Sequence, residues 1–229
     1  MKKLVVLSGS GISAESGLAT FRGNDGLWDN YPVEDVASIE GWYRNPGLVI
    51  EFYNRLRAKL ADIRPNRAHL DIAALEKDYD VTVVTQNVDD LHERAGSSRI
   101  IHLHGELTKV RPENRSGGVR DIGYGRIELG EKEHGAQLRP HIVWFGESVP
   151  EFEPAVEAVS KADILLIVGT SMQVYPAASL MYYADPKCRI FVVDPADVPT
   201  DGNSRVVHIK EKATTGVARF IAMIQGKEA

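Results

Sequence analysis

The sequence predicts an α/β fold: a doubly wound, parallel, Rossmann-like sheet with a second, smaller inserted domain. Three observations carry this expectation. Six short apolar runs rich in β-branched residues, at 4–7, 81–85, 100–103, 164–168, 190–193 and 206–209, have the composition of strands buried on both faces. Most are separated by stretches of helical spacing, and strand alternating with helix gives a parallel sheet covered on both sides. Two stretches break the rhythm: 22–60 is helical in pattern but lacks a following strand, and 105–140 is rich in Gly, Arg and Glu with little periodicity. Residues 1–21, 61–105 and 141–229 are accordingly assigned to the sheet domain, 22–60 to a helical insertion and 106–140 to a small module.

Taken in order, strand 4–7 runs straight into a glycine turn. Asn45-Pro46, a cap followed by proline in the first turn, opens a helix over 46–60. Asn66 caps a second helix over 67–77, with apolar residues at 68, 70, 72, 73, 74 and 75. Strand 81–85 leads into a helix over 88–94 that closes at Gly96, then into strand 100–103, and the last three strands complete the sheet. The 229 residues, 43% hydrophobic, suffice for one sizeable core with an insertion. The 27 basic and 32 acidic residues give a net charge of −5 without long runs of one sign, so there is no electrostatic footprint for nucleic acid or membrane. The single cysteine, Cys188, builds neither a disulfide framework nor a cysteine zinc site, and fits a reducing compartment. No apolar run approaches the ~20 residues of a membrane span, so a cytoplasmic chain is expected.

Three strand ends carry polar clusters. Ser8-Gly9-Ser10-Gly11-Ile12-Ser13-Ala14 is a Gly-x-Gly-x-x-Ala turn that would bring backbone amides to a pyrophosphate, or serve simply as a tight connection needing glycine for its backbone angles. A dehydrogenase would place a ribose-binding acid on a second strand roughly 20 residues on. Instead Phe21 and Arg22 follow, an aromatic to cover a flat ring and a planar fork for a diphosphate, or else a packed ring and a solvated charge. After strand 81–85 come Gln86, Asn87, Val88 and Asp89, amides and a carboxylate suited to a carboxamide ligand; taken singly, Asn87 or Asp89 also serves as a helix cap. His102 and His104, two apart, are expected on one strand face. His104, last before Gly105, is either a base near neutral pH or a hydrogen-bonded structural residue.

Together these segments resemble the sirtuin family. Gly-Ser-Gly-Ile-Ser-Ala-Glu-Ser-Gly-Leu at 9–18, Thr-Phe-Arg-Gly at 20–23, Thr-Gln-Asn-Val-Asp-Asp-Leu-His at 85–92 and His-Gly at 104–105 stand in sirtuin order. So do Gly26-Leu27-Trp28, Pro65 to His69, Arg139 to Glu147 and Gly169 to Pro176, and the likeness runs from about residue 4 to about 195. The resemblance implies a bacterial-type NAD-dependent protein deacylase acting on acyl-lysine proteins or peptides, with NAD consumed as co-substrate. It implies that Gly9, Ser10, Gly11 and Ile12 line the NAD phosphates and ribose, with Phe21, Arg22 and Trp28 in the loop over the cofactor. Gln86, Asn87, Val88 and Asp89 would bound the nicotinamide end, and Gly169, Thr170 and Ser171 the adenosine side. Asp194 stands where the family usually has asparagine for the adenosine ribose. Val143, Phe145 and Gly146 would clamp the peptide as an added strand. The implied catalytic residues are His104, the base on a ribose hydroxyl, Asn87, which orients ribose and water, and Asp89, which holds the carboxamide.

The chain departs from the family in two places. Pro112 and Arg115 fall where a first Cys-x-x-Cys pair of a structural zinc ribbon is expected, so no bound zinc is predicted, and short strands with ion pairs are expected to take its role. Sirtuins that prefer acidic acyl groups carry Tyr-x-x-Arg on the helix that here reads Phe52-Tyr53-Asn54-Arg55-Leu56-Arg57. Leu56 replaces the arginine, but Arg57 lies about 40° from Tyr53 around the helix, so the two are expected either to receive a succinyl group or to pack and be solvated. ADP-ribosyl transfer or NAD hydrolysis on the same fold, and a non-catalytic NAD- or ADP-ribose-binding module, remain the alternatives. A monomer is expected.

Overall fold

The computed structural model describes residues 1–18, 31–200 and 202–227. Its strands, in chain order, are β1 (Lys3–Ser8), β2 (Asp80–Thr85), β3 (Ile100–His102), β4 (Gly105–Pro112), β5 (Arg120–Asp121), β6 (Lys132–Glu133), β7 (Ala136–Ile142), β8 (Ile164–Val168), β9 (Arg189–Val193) and β10 (Val206–Ile209). The helices are α1 (Gly11–Ala14), α2 (Val33–Val36), α3 (Ile39–Arg44), α4 (Pro46–Asp62), α5 (Arg67–Ala74), α6 (Leu91–Ala95), α7 (Phe152–Ser160) and α8 (Ala213–Ile224).

Six strands form one parallel sheet in the order β10-β9-β8-β1-β2-β3. Each strand side chain points opposite to its neighbour. In β1, Val5 and Leu7 therefore enter one core with Val159 of α7, while Leu4 and Val6 enter another with Ile72 of α5 and Phe220 of α8. Burial on both faces explains why the strands read as continuous apolar runs. The chain winds from β1 to β2 and β3 in one direction and from β8 to β9 and β10 in the other, so the switch point lies between β1 and β8. In such sheets a ligand crevice opens at that point.

The helix signals act as read. Asn45 accepts from the Leu48 amide, and Asn66 accepts from Ala68 while its own side-chain amide bonds Ile12 O and Ser16, tying α5 to α1. The helix expected over 67–77 tightens into a 3₁₀ turn at Leu75–Lys77. The one expected over 88–94 starts only at Leu91, whose amide goes to Asp89 Oδ1. Strand 100–103 stops at His102 because the chain turns sharply at Gly105, φ +82°, where a Cβ would lie 2.1 Å from His141 O. His104 is therefore not on a strand with His102, and the shared face expected for them does not form.

Stretch 105–140 is strand-bearing: β4, β5, β6 and β7 make an antiparallel sheet in the order β5-β4-β7-β6. Its apolar side packs on α2, α3 and α4 around Trp42, Phe52, Tyr53, Ile127, Leu138 and Trp144. Two polar clamps lock it. Arg139, 2% exposed, lies 3.5 Å over the Trp144 ring and grips both carboxylate oxygens of Glu147 at 2.9 and 2.8 Å, with Arg111 on the same carboxylate at 3.3 Å. Asn54 of α4 bonds both Ile127 N and Ile127 O. Pro112 and Arg115, where ribbon cysteines would fall, offer no zinc donor.

Candidate active site

The two glycine turns meet at the switch point. Gly9 N donates to Val168 O and Gly11 N to Gly169 O, so these amides are spent on the neighbouring strand end. A Cβ on Gly9 would lie 2.7 Å from Gly169 O, and one on Gly11 2.7 Å from Gly169 Cα. Gly169 itself has φ +62° and would bring a Cβ within 2.2 Å of Ile12 N. The glycines are needed for this backbone-on-backbone approach, and they leave a side-chain-free floor.

Above that floor lies a cleft of about 460 Å³. Gly9, Ser10 and Gly11 line it beside Ser13, and Gly169, Thr170, Ser171 and Asp194 line the β8–β9 side. Gln86, Asn87, Val88, Asp89 and His104 form the end of β2 and β3, and Val143, Phe145 and Gly146 border the small sheet. Ile12 is corrected: it is fully buried in the core beneath α5 and does not reach the cleft. Phe21, Arg22 and Trp28 lie outside the described residues.

Three successive carbonyls tie down the 86–89 loop. Gln86 O accepts from His104 Nδ1 at 3.0 Å, Asn87 O from His102 Nδ1 at 3.1 Å and Val88 O from Leu107 N at 2.7 Å. The Gln86 side chain donates to Thr170 Oγ1 at 2.9 Å, joining both halves of the cleft. A carbonyl only accepts, so His104 carries its hydrogen on Nδ1 and keeps the Nε2 lone pair. Burial holds its imidazole below the usual histidine range, with the Gln86 bond opposing, so at neutral pH the ring is an uncharged base.

Ser13, which the glycine motif does not single out, links Asn87 and Asp89. Asn87 donates its side-chain amide to Ser13 Oγ at 3.2 Å, and Ser13 donates to Asp89 Oδ2 at 3.0 Å. Its only sequence signal is a hydroxyl one turn past the glycines. Beneath, Ser8 donates to Thr85 at 2.9 Å and contacts His92 Nε2 at 2.9 Å, so His92 donates there; burial pushes this ring far down and keeps it neutral.

Burial raises Asp89 from 3.8 to about 6, against the bonds from Leu91 and Ser13. A carboxyl that holds its proton more tightly in the fold favours folding below about pH 4, and that contribution is lost as pH climbs through about 6. Asp89→Asn is therefore expected to stabilise the chain at neutral pH by about 1–3 kcal/mol, and by less at pH 4. Urea denaturation at both pH values checks this; equal changes at the two would refute it.

The acyl-receiving pair is also corrected. Tyr53 lines the cleft, fully buried, accepting from Trp144 Nε1 at 2.9 Å. Arg57 does not. It is 0% exposed and spends its guanidinium on Gly125 O at 2.9 Å, Leu107 O at 3.2 Å and Asn54 Oδ1. The helical wheel placed it near Tyr53 but could not show that small-sheet carbonyls take it. Arg57→Met strands those acceptors and is expected to cost about 2–4 kcal/mol by chemical denaturation. Leu56, Leu60 and Leu107 give the cleft an apolar wall, and Lys59 stands beside it.

A family model described as "Sir2 family" matches residues 9–176. An NAD-dependent protein deacylase of Bacteroides thetaiotaomicron is 54% identical over 224 residues, covering 95% of each chain. One of Helicobacter pylori is 52% identical over 199 residues, covering 85% of each. Among solved structures, a Sir2 homologue mutant in complex with ADP-ribose superposes with a TM-score of 0.89 at 35% identity, covering 99% of this chain and 93% of its own. A Sir2 homologue–NAD complex gives 0.88 at 35% identity, covering 99% and 90%. With a match of this extent over the segments that build the cleft, the chain belongs to the Sir2 family.

Proposed function

We propose that this protein is an NAD-dependent protein-lysine deacylase that transfers the acyl group of a modified lysine to ADP-ribose and releases nicotinamide. The observation that carries the proposal is His104: its Nδ1 is committed to Gln86 O, leaving Nε2 as the base in a cleft at the sheet's switch point. The bare glycine floor and the polar groups at both ends of the cleft fit an extended dinucleotide. NAD supplies the ribose that takes the acyl group and the nicotinamide that leaves. On this reading Ser10, Gly169, Thr170, Ser171 and Asp194 hold the phosphate and adenosine portions, with Phe21, Arg22 and Trp28 over them. Gln86, Asn87, Val88 and Asp89 hold the nicotinamide end, with Ser13 fixing the two side chains that orient ribose and carboxamide. His104 Nε2 removes a ribose hydroxyl proton so that the acyl group can pass.

The substrate reading is an acyl-lysine peptide laid along Val143, Phe145 and Gly146. The amides of Val143, Trp144 and Phe145 already donate to His104 O, Glu147 Oε2 and Ala37 O, so a bound strand is held by other backbone groups of this segment. A Sir2 structure 27% identical to this chain holds a deacetylated peptide with acetyl ADP-ribose. The apolar wall favours short neutral acyl groups. If an acidic acyl group is taken, Lys59 and not Arg57 is the cation beside the cleft. Arg57→Met then leaves the succinyl-to-acetyl rate ratio unchanged, whereas Lys59→Ala lowers it.

Incubation with NAD and an acetyl-lysine peptide, with products identified by mass, tests the function. Acetyl-ADP-ribose, nicotinamide and deacetylated peptide in equal amounts are expected, with inhibition by added nicotinamide. ADP-ribosylated peptide or free ADP-ribose as the main product would overturn it. Among the described residues no helix is long and apolar enough to cross a membrane. A cytoplasmic, monomeric enzyme that binds no nucleic acid or membrane and carries no ribbon zinc remains part of this proposal.

A further inference from the structure

We infer that Glu93, His102 and Glu106 form a binding site for a divalent transition-metal ion, best suited to zinc, in a second cavity outside the catalytic cleft. The three come from α6, the end of β3 and β4, and one ligand atom from each lies within 4.8 Å of the others. Among the described residues this is the one group of His, Cys, Asp and Glu so arranged. None of the three lines the catalytic cleft; they share a separate cavity with Lys109, His141 and Glu151.

The bonds of His102 hold its ring in the orientation a metal ligand needs. Its side chain is 8% exposed, and its Nδ1 sits 3.1 Å from Asn87 O, so that nitrogen carries the hydrogen. Nε2 donates a second hydrogen to Glu93 Oε1 at 2.6 Å, so the ring is an imidazolium paired with this carboxylate. A divalent cation entering between the two would take the place of that Nε2 proton. Metal-bound imidazoles have this arrangement, one nitrogen on the ion and the other donating to a backbone carbonyl. Glu106 at present holds Lys109 at 2.7 Å, a cation a metal ion would displace from the carboxylate.

His141 stands at the wall of the same cavity. His141 pairs with Glu106 across β4 and β7, and its Nδ1 is buried without a hydrogen-bond partner among the described residues. One imidazole with two carboxylates is a borderline donor set: it suits zinc or cobalt, whereas magnesium favours all-oxygen octahedra. The functional meaning lies in the loop between the cavities. His102 fixes Asn87 O from the metal side and His104 fixes Gln86 O from the cleft side, so an ion on His102 would steady the segment that carries Asn87 and Asp89.

The test uses the untagged full chain, stripped with chelator, and reads binding and thermal unfolding, so it stands whatever the catalytic assays show. Calorimetry with ZnCl₂ is expected to give about one ion per chain and a raised Tm, and CoCl₂ a visible absorption band; MgCl₂ should give neither. Losing even an outer-shell partner weakens metal sites about 10–100-fold, so Glu106→Gln and His102→Gln should each weaken zinc binding at least tenfold. Glu93→Gln replaces either variant that fails to fold by circular dichroism. No zinc uptake, or uptake unchanged in the folded variants, would overturn the inference.

Discussion

His104→Ala should lower turnover of NAD and an acetyl-lysine peptide by about 10² to 10⁴-fold while both still bind. The imidazole is the group in the cleft whose protonation is set by structure: Gln86 O fixes the tautomer and burial keeps the ring neutral. Because its affinity for protons lies below the ordinary 6.5, the acid limb of the turnover profile should fall below that pH, as the base is lost on protonation. His104→Asn separates two roles, since its amide can donate to Gln86 O but cannot take a proton. If the asparagine variant recovers turnover, His104 positions the loop and the base lies elsewhere. Asp89→Asn, expected to stabilise the fold, should also slow turnover, because a neutral amide replaces the carboxylate that Ser13 holds beside Asn87.

Glu147→Ala should destabilise the chain by about 3–5 kcal/mol, roughly 10 °C in Tm for a chain of this size. The carboxylate neutralises two guanidiniums, Arg139 and Arg111, and accepts from the Trp144 amide at 3.0 Å. Removing it leaves both cations in an apolar module with the Arg139 head pressed on Trp144. Tryptophan fluorescence, which reports Trp42 and Trp144 together with Trp28, should change at lower urea than far-ultraviolet circular dichroism, which averages the helices of the whole chain. A loss under about 1 kcal/mol would show that the pair is solvated and that apolar packing alone holds the module.

The parallel sheet was legible because strands buried on both faces write themselves as apolar runs; 164–168 and 206–209 match β8 and β10 to the residue. Asn45 and Asn66 were legible because caps act within three residues. What failed was long-range. The need for Gly9 and Gly11 comes from Gly169, 158 to 160 positions away. Arg57 was read from its helix face, but Gly125, Leu107 and Asn54 decide its environment. Strands β5 and β6 have two residues each, too short for any period to show. Asp89 was read both as a cap and as a ligand holder, and its two oxygens divide: Oδ1 takes the Leu91 amide and Oδ2 the Ser13 hydroxyl.

The Arg139–Glu147 clamp changes what the small sheet is vulnerable to. Where four thiolates hold a ribbon together, peroxide or a disulfide reagent can dismantle it. A guanidinium stacked on indole and gripped by a carboxylate has no sulfur to lose, and the sole cysteine, Cys188, is buried with its thiol pushed up to about 11. The architecture should therefore stand through oxidative stress, sensitive to acid and high salt in place of electrophiles.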